Sequence, residues 1–199
     1  MILSDRETQL ALKRGQVLIT PIPAEEAWST TAVDLRLGAQ LSIWTIPAHD
    51  PASGAPEPKF CPAGEYFNIR EVLKSHTTTV LLTPDAHFDL EPGQFVLGWT
   101  HEKLRLPHES RVCARVEGKS SLARLGLGVH VTAPTIHAGF GTGNDPEGDQ
   151  IQLEIWNVGP LPIELRLGMR ICQLIFEEVH GTPIKGYRGQ FLGQGPKLT

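Results

Sequence analysis

The chain has 199 residues, 40% of them hydrophobic, which suits one domain (1–199) with a real core and leaves little room for two. Its 20 glycines and 16 prolines against 7% aromatics argue for turns and short strands over a helix bundle, and a formal charge of −4 argues against a general nucleic-acid binder. Cys61, Cys113 and Cys172 are odd in number, far apart and without a CxxC pair; this argues against a zinc knuckle or a disulfide framework and reads as reduced thiols in a cytoplasmic protein. The start, Met1-Ile2-Leu3-Ser4-Asp5-Arg6-Glu7, holds no apolar signal core, and no apolar run reaches membrane-spanning length, so no membrane partner is expected.

Ser4 and Glu7 form a capping box that predicts a short helix over 5–14, stopped by Gly15. Period two then dominates. Residues 16–20 read as a strand ended by Pro21 and Pro23; 33–37 alternate, Gly38 interrupts, and 41–44 resume. Residues 47–64 are a Pro/Gly/Ala loop, either a flexible excursion or a lid, within a variable region of 47–77. One short helix is expected within 65–76, using Phe67, Val72 and Leu73. Strands are expected at 78–82, 95–100 (after a turn at 91–94), 104–106, 111–116, 127–132, 151–156, 163–167 and 170–176. Many short strands with frequent turns predict a mainly β sandwich, barrel or jelly roll. No internal repeat is visible, and the glycine-rich tail (180–199) predicts no regular element of its own.

Two places carry chemistry. Gly118-Lys119-Ser120-Ser121-Leu122-Ala123-Arg124 crowds a glycine, two hydroxyls and two cations into seven positions, an assortment that suits a phosphate chain. A helical turn over 122–125 would add amides aimed at the same anion. The plainer reading is a capped surface helix, since without an upstream Walker glycine this is not a P-loop. In the run Gln152-Leu153-Glu154-Ile155, Gln152 and Glu154 share one strand face; they form either a base-and-amide pair for holding a water or an ordinary wet face. His130 reads as a structural histidine. His137, before Ala138-Gly139-Phe140, has the titration range of a base without a local partner to identify it.

Taken together these residues resemble the dCTP deaminase family of the dUTPase-like superfamily. The likeness runs through Ile2-Leu3-Ser4-Asp5-Arg6, Val33-Asp34-Leu35-Arg36-Leu37-Gly38, Pro92-Gly93-Gln94-Phe95, the block from Gly118 to Gly126, His130-Val131-Thr132-Ala133, Leu153-Glu154 with Asn157, Gly168-Met169-Arg170-Ile171-Cys172-Gln173-Leu174, and Tyr187-Arg188-Gly189-Gln190. The resemblance implies a distorted jelly-roll (β-clip, dUTPase-like) fold with a short N-terminal helix, a homotrimer with sites between subunits, and Mg²⁺ on the triphosphate without zinc. It implies hydrolytic deamination of dCTP to dUTP. Glu154 would be the general base, Ser120 and Arg124 would hold water and substrate, and Lys119 and Ser121 the phosphates; Ala133, His137, Gln152, Tyr187 and Gln190 would contact the nucleotide. No zinc-deaminase H-x-E…P-C-x-x-C signature is present.

The chain departs from the family pattern at His137, where members carry an Asp, at Thr135 and Gly186, and in a lengthened loop over 141–149. Loss of the Asp speaks against dUTP diphosphatase activity and opens the way to altered substrate choice. The competing expectations are a dUTPase or bifunctional deaminase–diphosphatase, and a nucleotide-binding regulator without turnover.

Overall fold

A computed structural model describes residues 1–46, 59–129, 132–185 and 195–196. Helix α1 (Asp5–Lys13) begins where the Glu7 amide donates to Ser4 Oγ at 3.3 Å. Asp5 and Glu7 in its first turn and Lys13 in its last suit the helix dipole, and Gly15, at φ +67°, ends it. Strand β1 (Leu18–Thr20) follows, then the long β2 (Val33–Trp44). Helix α2 (Ile69–His76) is capped by Asn68, whose Oδ1 accepts from the Arg70 amide at 3.0 Å. Then come β3 (Thr77–Leu81), β4 (His87–Leu90), β5 (Phe95–Arg105), β6 (Val112–Gly118), the single-turn α3 (Ser120–Ala123) and β7 (Leu127–Val129). Strands β8 (Thr135–Ile136), β9 (Asp149–Asn157), β10 (Ile163–Arg166) and β11 (Arg170–Glu178) complete the order.

Nine strands form one antiparallel sheet in the order β7-β9-β5-β2-β11-β6-β8, with β1 on β5 and β3 on β2; β4 and β10 pair separately. Strand β2 is the spine. One of its edges holds β11 along residues 33–36 and β3 along 40–44, while the other holds β5. The sheet folds over, so that Val116, Leu174 and Phe176 from β6 and β11 join Val96, Leu153 and Ile155 from β5 and β9 in one buried cluster. This is the mainly β, short-helix architecture that the alternation predicts.

The differences are local. Gly38 does not end a strand: β2 runs through it, with a register shift against β5 between Leu37 and Leu41, and a Cβ at Gly38 would stand 3.0 Å from the Trp99 carbonyl oxygen. The expected strands at 95–100 and 104–106 are one, because buried Thr100 and Glu102 are satisfied from neighbouring strands: the Ile151 amide donates to Thr100 Oγ1 at 2.9 Å, and Arg36 pairs with Glu102. Helix α2 occupies only the last two-thirds of its predicted range. The loop expectation for 47–58 and the tail expectation for 186–194 and 197–199 lie outside the described residues. Among the described residues no helix is long and apolar enough to cross a membrane.

Candidate active site

Where β6 ends at Gly118 the chain turns into α3, and the turn forms one wall of a cleft of about 580 Å³. Lys119, Ser120 and Ser121 line it, with Arg115 and Glu117 from β6 and Gln173 from β11 across the sheet. Lys119 holds the extended backbone of an N-cap, and its carbonyl accepts from the Leu122 and Ala123 amides at 3.0 and 2.8 Å. The helical turn thus lies over 120–123, earlier than the expected 122–125. Its Leu122 and Ala123 amides close the turn itself and are not left over for an anion. Leu122 packs on the core and leaves both serines exposed.

The exit of this segment is held hard. Gly126 has φ +97°, a Cβ there would stand 2.2 Å from the Gly159 nitrogen, and the Val158 amide donates to the Gly126 carbonyl at 2.9 Å. Gly159 is fixed in turn by Asn157, a fully buried side chain whose Nδ2 donates to the Leu90 and Leu161 carbonyls at 2.9 and 2.8 Å and whose Oδ1 accepts from the Gly159 amide at 2.8 Å. Asn157, read beside Glu154 in the sequence, is therefore a structural clasp between the clamp and the end of β9.

Every cation in the cleft wall faces a carboxylate. Lys119 Nζ is in ion-pair contact with Asp34 Oδ1, and Arg170 Nη1 lies 3.8 Å from Asp34 Oδ2. Arg115 contacts Glu117 and Glu177, each at 3.0 Å. Asp34, Arg115, Glu117 and Gln173 are site-forming residues that motif reading passed over. Asp34 and Gln173 do fall within blocks that carry the resemblance, but without an assigned role, and Arg115 and Glu117 show only as polar positions in an alternating strand.

Gln152 and Glu154 share the side of β9 opposite buried Leu153 and Ile155, as the alternation predicts. Across the ladder they face Trp99 and Leu97 of β5. Glu154 Oε2 is shut off from solvent. Neither residue lines the clamp's cleft, and nor do Arg124, Ala133 or His137, which are exposed in the single chain. Thr135, also exposed, sits opposite Arg115 in the β6–β8 pairing. A tight turn follows His137: the Phe140 amide donates to the His137 carbonyl at 3.0 Å and Gly139 has φ +97°. The long 141–149 loop is pinned to β5 by Lys103 Nζ, 2.8 Å from both Asp145 Oδ2 and Glu147 Oε2. His130, Gly186, Tyr187 and Gln190 lie outside the described residues.

A family model described as dCTP deaminase-like matches residues 2–179. Over 207 residues the chain is 36% identical to the dUMP-forming dCTP deaminase of Methanosphaera stadtmanae, covering 100% of this chain and 92% of that protein. Over 187 residues it is 37% identical to the dCTP deaminase of Rhodospirillum rubrum, covering 94% and 87%. Among solved structures, the 2'-deoxycytidine 5'-triphosphate deaminase of Agrobacterium tumefaciens superposes with a TM-score of 0.61 at 22% identity. That match covers 90% of this chain and 48% of the other, a likeness of fold.

Proposed function

The chain belongs to the dCTP deaminase-like family, and from that premise we propose that it removes the exocyclic amine of dCTP by hydrolysis, with Glu154 as general base. Glu154 takes a proton from a water, and the resulting hydroxide adds at cytosine C4. That proton passes to ring N3 and stays there; the carboxylate then relays the proton of the new C4 hydroxyl to the amine, which departs as ammonia as the C4 carbonyl forms, leaving a uracil nucleotide. The observation that carries this reading is a carboxylate with one oxygen sealed from solvent, beside Gln152 on a strand of the relatives' matched region. In a dry setting such a group acts on a bound water without competition from bulk solvent, and a placed acid–base residue is worth about 10²–10⁴-fold in rate.

In this reading Ser120 and Arg124 hold the water and the substrate, Lys119 and Ser121 the phosphates, and Ala133, His137, Gln152, Tyr187 and Gln190 the rest of the nucleotide. The acidic groups nearest the clamp, Asp34 and Glu117, are each paired with a cation, a donor set unlike a dedicated metal cage. Mg²⁺ accordingly enters on the triphosphate oxygens as part of the substrate. Because clamp and base do not line one cleft in a single chain, the reading includes a homotrimer in which neighbours complete each site. Exposed Leu125, Val158 and Leu161, next to the clamp's exit, supply apolar surface for such a contact.

The test incubates the purified protein with dCTP and Mg²⁺ and follows nucleotides by chromatography. Glu154→Gln should lower turnover by at least about 10²-fold while calorimetric dCTP affinity stays within a few-fold; retained turnover sinks the assignment. The same chromatogram decides the second reading, a bifunctional enzyme, which the dUMP-forming relatives favour and the histidine at 137 opposes. Accumulating dUTP selects the simple deaminase; dUMP with pyrophosphate selects the bifunctional one. Binding without any product selects a regulator.

A further inference from the structure

The sequence motif names Lys119 as a phosphate ligand, but its ammonium already has a protein partner. Lys119 leaves the end of β6, and its side chain reaches Asp34 on β2, two strands away across β11. In the ladder Gln173 of β11 stands opposite both Asp34 and Glu117, so Asp34 sits within the paired sheet while Lys119 caps a one-turn helix. Both side chains are mostly covered, 15% exposed for Asp34 and 23% for Lys119, so solvent screens this pair less than a surface one. Asp34 is held from its other side as well. Arg170 Nη1 lies 3.8 Å from Oδ2, and Arg170 is itself steadied by Glu26, through the backbone carbonyl at 3.0 Å and the carboxylate at 3.5 Å.

We propose that Asp34 is a positioning residue of the anion clamp: it fixes the Lys119 ammonium at the cleft, so that a polyphosphate meets a point charge already in place. This rests on the proposed function's reading of the 119–121 segment as a phosphate site. An ammonium carries three donors and Asp34 takes one, which leaves two for phosphate oxygens. A free lysine must give up rotamer freedom when it binds; one tethered beforehand has already done so. Arg170 keeps the aspartate compensated while Lys119 shares its charge with a ligand. A purely structural bridge between β2 and α3 would make Asp34 matter to folding and not to the lysine's grip on anions.

A double-mutant cycle on the full chain separates these, with inorganic tripolyphosphate as the calorimetric probe and dCTP with Mg²⁺ as the kinetic one. Asp34→Asn should weaken tripolyphosphate binding about 5- to 20-fold, and in a Lys119→Met background the same change should have less than about a twofold effect. In turnover Asp34→Asn should raise KM with kcat within about twofold, and Asp34→Glu should recover part of the loss. Tripolyphosphate affinity that is unchanged or tighter in Asp34→Asn, or losses that simply add across the two sites, overturn the inference. So does a wild type that ignores tripolyphosphate. A wild type that binds tripolyphosphate with the predicted coupling but never turns over dCTP sinks the deaminase reading alone.

Discussion

Glu102 is 2% exposed, and both its oxygens accept from one residue: Oε1 from Arg36 Nε at 2.7 Å and Oε2 from the Arg36 amide at 2.8 Å. Removing the carboxylate strands a backbone donor and a guanidinium at the Leu37–Thr100 end of the β2–β5 ladder. Glu102→Ala should therefore cost about 2–3 kcal/mol of unfolding free energy, measured as a lower urea midpoint at constant slope. The guanidinium's partial exposure keeps the figure at the low end. The same neighbourhood quiets a thiol. Burial pushes Cys172 far above its usual range, with the charges of Glu102 and Asp34 adding to the effect, so this cysteine is no nucleophile.

Among elements, the turn out of the clamp is the least forgiving. Gly126 combines a positive φ with backbone contact to Gly159, so Gly126→Ala should destabilise by more than about 2 kcal/mol in thermal unfolding, and should harm tripolyphosphate binding along with it. The 141–149 loop is held by charge. Its Asp145 carboxyl lies below the ordinary range, first through the hydrogen bond from Lys103 and then through the Glu147 amide, while Lys103 is raised by Asp145 and Glu147. A carboxyl held low contributes its full share above its unfolded pKa and loses it as pH falls through the lowered folded value. Amide exchange in this loop, corrected for intrinsic rates, should be level from about pH 8 to 5 and rise below about pH 4, with no such step in Lys103→Met. A strand with one clean core face, such as β9, was legible from alternation alone, and β11, buried on both faces, from its run of apolar residues. Strand β4 was not, because only Leu90 of its four residues is buried, and β8 is two residues long. The joint of β5 at 101–103 was hidden for another reason: buried Glu102 looks like a loop residue until its partner Arg36 on β2 is known. The clamp was legible because it is one continuous run. Its tether to Asp34 joins residues 85 positions apart, which no local pattern records.

At the scale of the whole molecule, a site divided between neighbours makes a prediction that a single-chain site does not. Glu154→Gln and Arg124→Ala proteins, each inactive alone, should regain about a quarter of wild-type activity when co-expressed as randomly mixed trimers, since a quarter of the sites draw both intact halves. No recovery on mixing would place clamp and base in one subunit. Within the chain, β2 presents Asp34 to the clamp at one end and, past Gly38, lays Ser42 beside Leu97, which in turn lies beside Glu154. One continuous strand thus sets the spacing between the Lys119–Asp34 pair and the ladder that carries Glu154. Loops such as 141–149 are free to lengthen and diverge without detuning that span, whereas adding or dropping one residue in the β2 bulge would turn every side chain beyond it to the opposite face.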